Sequence, residues 1–371
     1  MYRRILALLW IVSGCLLWAA PPDVPVKSHV LIDAASGQVL AAKNPDLALP
    51  PASITKLMTA YIVFDALKQG KITLEDPVPI SQNAYSQKGS RMFVEVNSRV
   101  SVHDLLQGLI VQSGNDAGVA LAEYVGGSVE GFVVMMNDTA QRLALHNTRY
   151  LDPVGLGGDG HYSTASDIAR LSQHLINDFP EYYHYYKQKA FTWNKITQPN
   201  RNRLLFSNAQ VDGLKTGHTA AAGYCLASSE KRGDMRLIAV VLGADAEEQR
   251  YAASQALLDY GFAQFREVTL LREEHILKQA RVWKGETEAV PVRAARTVKS
   301  WLPVDAPNSV TASVHIPTLR APIAAGEKIG TITLRQDGKV LAEVDALAAQ
   351  AVAEAGFFGR TWDGIKLFFA E

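Results

Sequence analysis

The stretch Pro50-Pro51-Ala52-Ser53-Ile54-Thr55-Lys56-Leu57 decides how the rest of the chain is read. The two prolines open a helical pattern in which Leu57, Ala60, Tyr61, Phe64 and Leu67 recur at core spacing until Gly70 stops it. Ser53 and Lys56 are three residues apart, so on one helical face the lysine amine reaches the serine hydroxyl. The N-terminus of that helix presents backbone N–H groups and the positive end of its dipole to any oxyanion formed there. A neutral lysine so placed is a base able to make the serine a nucleophile. The spacing alone is weak, because a chain of this length carries about one such match by chance. Ser228-Ser229-Glu230-Lys231 is a second match, running off a strand into a charged turn, and is assigned to solvent.

Working outward, two more groups lend Ser53 its weight. Ser113-Gly114-Asn115 lies between two helical patterns and supplies a second hydroxyl and an amide from a loop. Lys215-Thr216-Gly217 sits on a predicted strand, where the lysine can hold a carboxylate, the threonine can donate a further hydrogen bond, and the glycine lets a substrate backbone lie close. Singly, the first reads as a helix-linking turn and the second as a solvated strand charge. Around them, residues 28–33 and 37–42 read as a short hairpin. Ser101 to Asp104 resembles a capping box ahead of a helix over 105–111, and further helices are expected over 117–125, 166–176 and 247–258. Strands are expected over 214–216, 224–228 and 236–242, the last two joined by the polar turn Glu230 to Asp234. After Gly261-Phe262 the pattern changes to short β-rich runs, with a hairpin around Asp337-Gly338.

In this order, on a helix, a loop and a strand, S-x-x-K, S-x-N and K-T-G match the penicilloyl-serine transferase pattern. Over nearly its whole length the chain resembles the low-molecular-mass penicillin-binding proteins of the D-alanyl-D-alanine carboxypeptidase group. The resemblance runs through Pro51 to Lys56, Gln112 to Ala117, Asn200-Arg201-Asn202, Val211 to Thr219, Ala222-Gly223-Tyr224, Asp337-Gly338-Lys339 and Phe357-Phe358-Gly359. It implies an α/β (α+β), β-lactamase-like catalytic domain, with a mainly antiparallel sheet flanked by helices, followed by a small all-β domain. The expected division is a signal peptide over 1–20, a catalytic domain over 24–262, a β domain over 265–349 and an amphipathic anchor over 353–371.

The resemblance also implies roles. Ser53 is the expected nucleophile, acylated by the penultimate D-alanine of a peptidoglycan pentapeptide, and Lys56 its general base. Ser113 relays a proton to the departing D-alanine and, with Lys56, helps activate the deacylating water. Asn115 binds the substrate amide, and Lys215, Thr216 and Arg201 hold the terminal carboxylate. Gly217 and His218 complete the substrate-binding strand, and the backbone N–H groups of Ser53 and His218 form the oxyanion hole. For Lys56 to be neutral near pH 7, burial and a charged Lys215 nearby are expected to depress its pKa. β-Lactam antibiotics are expected to bind, and a role in peptidoglycan synthesis and cell shape follows. No cofactor or metal is expected. D,D-endopeptidase or weak β-lactamase activity on the same scaffold, and a catalytically weak wall-binding protein, are the competing readings. The best-known members carry a cysteine where this chain has Ala117-Gly118, and Cys225 stands where relatives often have asparagine; it reads as a small buried hydrophobe.

Composition bounds the partners. Over 371 residues, 37 Lys+Arg balance 37 Asp+Glu to a net charge of +0, which gives no global field to attract nucleic acid. A hydrophobic fraction of 48%, with Gly 27 and Pro 16 spread along the chain, argues against long disorder and against a polytopic membrane protein. Met1-Tyr2-Arg3-Arg4 followed by an apolar run to Ala20 reads as an export signal cleaved ahead of Pro21, which leaves Cys225 with no disulfide partner. Val12-Ser13-Gly14-Cys15 resembles a lipobox, so lipoprotein processing stays open, as does an uncleaved anchor. At the other end Phe357, Phe358, Trp362, Ile365, Phe368 and Phe369 share one helical face, with Arg360, Asp363 and Lys366 opposite. That face reads as a helix lying in the membrane interface, with docking on its own domain as the alternative. The expected location is the periplasmic face of the cytoplasmic membrane.

Overall fold

Val30, Ile32, Ile238, Val240 and Leu242 sit on one side of a sheet and Leu31 and Leu237 on the other, and all of them are buried. In a computed structural model of the chain, which describes residues 20–304, 310–336 and 338–357, these residues belong to a five-stranded antiparallel sheet. Its strands are β1 (Ser28–Asp33), β2 (Val39–Lys43), β3 (Val211–Thr219), β4 (Gly223–Arg232) and β5 (Met235–Ala244). The order across the sheet is β2-β1-β5-β4-β3, which puts the Lys215 strand at one edge. Successive side chains alternate between faces, so a sheet covered on both faces reads as near-continuous apolar strands such as Leu237 to Leu242.

Helices supply both covers. They are α1 (Lys56–Lys68), α2 (Val102–Ile110), α3 (Asn115–Gly126), α4 (Val129–Arg142), α5 (Ala165–Asp178) and α6 (Glu247–Gln264). One sheet face joins the core built on α1 to α5. On α1 every residue but Asp65 and Lys68 is buried, so the helix is central rather than amphipathic. Gly261 of α6 leaves no room for a Cβ above Leu31 and Leu237, which places α6 tight on the other face. Gly261 thus serves close packing and does not stop the helix, which runs on to Gln264.

Local signals account for most ends. The Ser101 hydroxyl accepts from Asp104 N–H at 3.1 Å and donates to the Asp104 carboxylate at 2.6 Å, fixing the start of α2 as the capping box predicts. Gly127, at φ +72°, ends α3. Helix α4, capped by Ser128, is the one long helix that the sequence pattern did not reveal; Gly131, Asn137 and Asp138 interrupt its apolar spacing. Among the described residues no single helix is long and apolar enough to cross a membrane.

Among the described residues, 20–264 form one compact unit and those from Phe265 onward another. The second unit is all β. Its main sheet pairs Lys328–Gln336 with Lys339–Ala348 as an antiparallel hairpin and adds Val310–His315, Ala289–Ala294, Lys278–Trp283 and Leu319–Arg320. A smaller pair joins Phe265–Leu271 to Val298–Pro303. Ile332, Val290, Val292 and Ala346 are among the residues of its own apolar core. The signal over 1–20 and the aromatic stripe beyond Phe357 lie outside the described residues, save Ala20. Residues 353–356 of the expected 353–371 helix are not helical, Glu354 being bridged to Gly285, whereas Phe357 is helical.

Candidate active site

Ser53 lies in a one-turn 3-10 helix, Ala52–Thr55, that leads into α1. Pro51 precedes it, no side chain caps it and no acidic residue occupies its first turn, and the Pro51 carbonyl accepts from the Ile54 N–H at 3.2 Å. Ala52 is forced to φ +49°, a costly value for a residue with a Cβ. Gly155, at φ +91°, is pressed against the Ala52 carbonyl, where any Cβ would overlap it. A second close approach comes from β3. A Cβ on Gly217 would stand 2.7 Å from the Pro51 carbonyl oxygen, so this glycine lets the nucleophile turn sit against the strand, a constraint different from the substrate approach expected of it.

Lys56 starts α1 one turn after Ser53, and its amine lies 2.8 Å from the Ser53 hydroxyl, as the spacing predicts. The same Nζ donates to Asn115 Oδ1 at 2.7 Å and to the Val154 carbonyl at 3.0 Å. Both of those oxygens can only accept. A neutral amine has two hydrogens and one lone pair, so two hydrogens on the carbonyl oxygens leave the lone pair for the Ser53 O–H. Burial pushes Lys56 from its ordinary 10.5 to about 7, against the charges of Asp152 and Asp116, which pull it upward. The repulsion expected from Lys215 is expressed on Lys215 instead. Burial first, then the charges of Lys56, Arg201 and Arg250, hold that lysine well below its ordinary value.

Asp152 builds the loop that meets Lys56. Its carboxylate accepts from the N–H groups of Val154, Gly155 and Leu156 at 2.6, 2.6 and 2.8 Å, which turns the Val154 carbonyl toward the amine. Ser113 follows α2 at φ +63°, an uncommon conformation that places it on the pocket wall. Asn115 opens α3 with its amide already engaged, Oδ1 on Lys56 and Nδ2 donating to the Lys88 carbonyl at 2.6 Å. Asn115 thus holds the lysine, and its amide keeps a second hydrogen and a second lone pair beyond these two bonds.

The pocket above Ser53 has a volume of about 270 Å3 and is lined by Ser90, Ser113, Arg201, Thr216, His218 and Arg250 among others. Asn200 and Asn202 flank Arg201 and are buried, and the Asn202 amide donates to the Gly213 carbonyl at 3.0 Å. Tyr251 donates to the Arg201 carbonyl at 2.7 Å, so the backbone is fixed while the guanidinium lines the pocket. His218 stacks on Tyr224 at 4.0 Å between centroids. Arg250 donates to Glu247 at 2.6 Å and to the Gly217 carbonyl at 3.4 Å, and lies over the Tyr224 ring.

The structure thus brings Ser53, Lys56, Ser113, Asn115, Arg201, Lys215, Thr216, Gly217 and His218 together from a turn, two helix starts, two loops and an edge strand. It adds Arg250, Glu247, Ser90 and Asp152. Glu247 and Arg250 carried the faint signal of an opposite-charge pair three apart in the first turn of a helix, which is also what a solvated surface shows. Ser90 lies in an irregular segment with no signal. Ser228, Ser229 and Glu230, assigned to solvent, are instead buried within β4.

A serine joined to a buried lysine across one turn, below a pocket walled by arginines, defines a serine acyl-transfer site. The D-alanyl-D-alanine carboxypeptidase family matches residues 17–246, and the penicillin-binding protein 5 C-terminal domain matches residues 265–354. The chain belongs to this D-alanyl-D-alanine carboxypeptidase family of low-molecular-mass penicillin-binding proteins. It is 44% identical over 357 residues, 94% of this chain and 89% of the relative, to D-alanyl-D-alanine carboxypeptidase DacC of Escherichia coli strain K12. It is 38% identical over 338 residues, 89% of this chain and 87% of the relative, to D-alanyl-D-alanine carboxypeptidase DacF of Bacillus subtilis strain 168. Penicillin-binding protein 5 from Haemophilus influenzae has a similar structure, with a TM-score of 0.82 and 42% identity over 90% of this chain and 99% of that one.

Proposed function

We propose that this chain is a serine-type D-alanyl-D-alanine carboxypeptidase that removes the terminal D-alanine from peptidoglycan pentapeptides through an acyl-enzyme on Ser53. The observation that carries this is the 2.8 Å contact between Ser53 and a buried lysine poised near pH 7. Ser53 Oγ attacks the carbonyl carbon of the penultimate D-alanine while its proton passes to Lys56 Nζ. The oxyanion of the tetrahedral intermediate lies against the N–H groups of Ser53 and His218. Collapse breaks the C–N bond, and D-alanine leaves with a proton relayed through Ser113. Water then attacks the ester, giving its proton to Lys56, and Ser53 departs protonated.

The substrate carboxylate enters among Arg201, Arg250 and Lys215, with Thr216 as a further donor. Its negative charge favours the charged form of Lys215, which burial first and then the charges of Lys56, Arg201 and Arg250 disfavour. This is a cationic pocket inside a chain of zero net charge, and it suits a small carboxylate. Penicillin carries the same carboxylate beside a strained amide and is read as an inhibitor acylating Ser53. The test is labelling by a fluorescent penicillin together with release of free D-alanine, comparing wild type with Ser53→Ala. Equal labelling of the variant, or none of wild type, overturns the reading; liberation of monomeric muropeptides in place of D-alanine makes the protein an endopeptidase.

We place the enzyme after export at the periplasmic face of the cytoplasmic membrane, held by its C-terminal aromatic stripe, and assign it to wall assembly and cell shape. The sequence 357–369 supports the first part. A chain ending at Ala355 should become soluble; full-length protein that washes equally free of membranes overturns the anchor. Loss of the gene should raise the pentapeptide fraction of the wall and alter cell outline.

A further inference from the structure

We infer that Asp116 is a positioning residue of this active site: its carboxylate clamps the 92–94 backbone and so holds the Ser90 wall of the pocket against the turn that seats Asn115 on Lys56. The inference rests on the carboxypeptidase reading and adds to it. Asp116 is 1% exposed. Its Oδ1 accepts from Met92 N–H at 3.0 Å and from Ala117 N–H at 2.9 Å, and its Oδ2 from Phe93 N–H at 2.8 Å and Val94 N–H at 3.3 Å. A carboxylate offers about four lone-pair positions, and here four backbone donors fill them. Three consecutive N–H groups converging on one anion form a backbone nest whose occupant is a side chain of the same protein.

The segment gets its shape from such ties, because residues 87–95 form neither helix nor strand. Phe93 is held at φ +70° and is 43% exposed, so little burial offsets the strained backbone. The other ties lead to the same turn. Asn115 N–H donates to the Ser90 carbonyl at 2.8 Å, and Asn115 Nδ2 donates to the Lys88 carbonyl. Gly114 has no space for a Cβ between Asp116 Oδ1 and Met92 N. Gln198 Nε2 adds one bond from outside, to the Arg91 carbonyl at 3.2 Å. One short turn, Gly114-Asn115-Asp116, therefore orients the catalytic lysine on one side and the pocket wall on the other. Lys56 faces the charges of Asp116 and Asp152 and lies near Lys215, so neutralising Asp116 also changes the field at the amine.

The test uses the full chain and Asp116→Asn, which keeps the shape but turns one acceptor into a donor facing N–H groups. D-alanine release from a peptide ending in D-Ala-D-Ala is measured per penicillin-titrated site. The kcat/KM should fall about 10- to 100-fold, the cost expected for misplacing positioned groups by up to an ångström. The acid limb of its pH profile should move to lower pH, because removing a negative charge leaves Lys56 easier to deprotonate. A kcat/KM within about twofold of wild type, or an unmoved acid limb, overturns the proposal. Should the variant not fold, hydrogen exchange on wild-type protein decides: the amides of Met92, Phe93 and Val94 should be as protected as those of β5, and exchange at open-loop rates overturns the clamp. Wild type that releases no D-alanine sinks the carboxypeptidase reading instead, and the exchange measurement still judges the clamp.

Discussion

Ser53-Ile54-Thr55-Lys56 and Ser228-Ser229-Glu230-Lys231 share one spacing and have opposite fates. In the first, a helical turn brings residues three apart onto one face, and Lys56 Nζ meets Ser53 Oγ at 2.8 Å. In the second, the residues lie on a strand, where an odd separation puts two side chains on opposite faces. Ser228 points into the protein and donates to the Ala239 carbonyl at 3.2 Å, while Lys231 is exposed at the strand end. Two serine–lysine pairs of equal spacing thus differ in chemistry because the backbone periods differ. The largest effect that tests this contrast is Ser53→Ala, which should lower D-alanine release by at least about 10^4-fold and abolish penicillin labelling. Ser228→Ala should lose only about 1 kcal/mol of stability, read from denaturant unfolding, and keep its labelling. Lost labelling in a folded Ser228→Ala protein would break the contrast.

The contact across the turn also depends on what presses on it. Gly155→Ala adds a Cβ against the Ala52 carbonyl at φ +91°, and the obstacle is backbone, which cannot rotate away. We expect about a 100-fold fall in penicillin acylation at Ser53, with a lower Tm. Unchanged acylation would mean that the turn can shift without harm. A milder perturbation is pH. Lys56 acts as a base only when neutral, and burial brings it to about 7, so protonation removes activity as pH falls. The kcat/KM, which reports the free enzyme, should be flat above about pH 8 and drop tenfold per unit below about pH 6. A profile flat down to pH 5 would remove Lys56 from the role of base.

What could be read before the fold was known follows the range of the physics. Ser53 and Lys56, the Ser101 cap of α2 and the strand around Leu237 depend on neighbours within a turn or a strand, and those readings match the structure closely, while the strand around Lys215 extends to Val211–Thr219, beyond the 214–216 expected. Helix α4 carries little signal in the sequence because its glycine and polar residues weaken the local pattern, and packing from outside supplies the rest. In the sequence Glu230 resembles a solvated turn charge, because it stands beside Lys231 and Arg232. Its burial depends on Arg232 Nε at 2.6 Å and on Asn208 at 3.0 Å, the latter far away in sequence. The site divides in the same way. The residues of the three short patterns were legible, whereas Arg250 and Asp152 act on groups over 30 residues away, and Gly217 showed its constraint only once Pro51 lay against it.

The smallest expected effect is the most exacting test of the opening contrast. Lys231→Ala removes the amine of the second pair from an exposed position, and the backbone bond of that residue, Lys231 N–H to the Gln210 carbonyl at 3.1 Å, is untouched. Stability should stay within about 0.5 kcal/mol of wild type by denaturant unfolding, as for other surface changes away from structural features. Acylation by penicillin should stay within about twofold, because an amine on the far side of a strand cannot accept the proton of an inward serine. A tenfold loss of acylation in a fully folded Lys231→Ala protein would require its charge to act through solvent on the pocket. Repeating the measurement at high ionic strength would expose that, since such an effect fades with the Debye length while a contact at 2.8 Å does not.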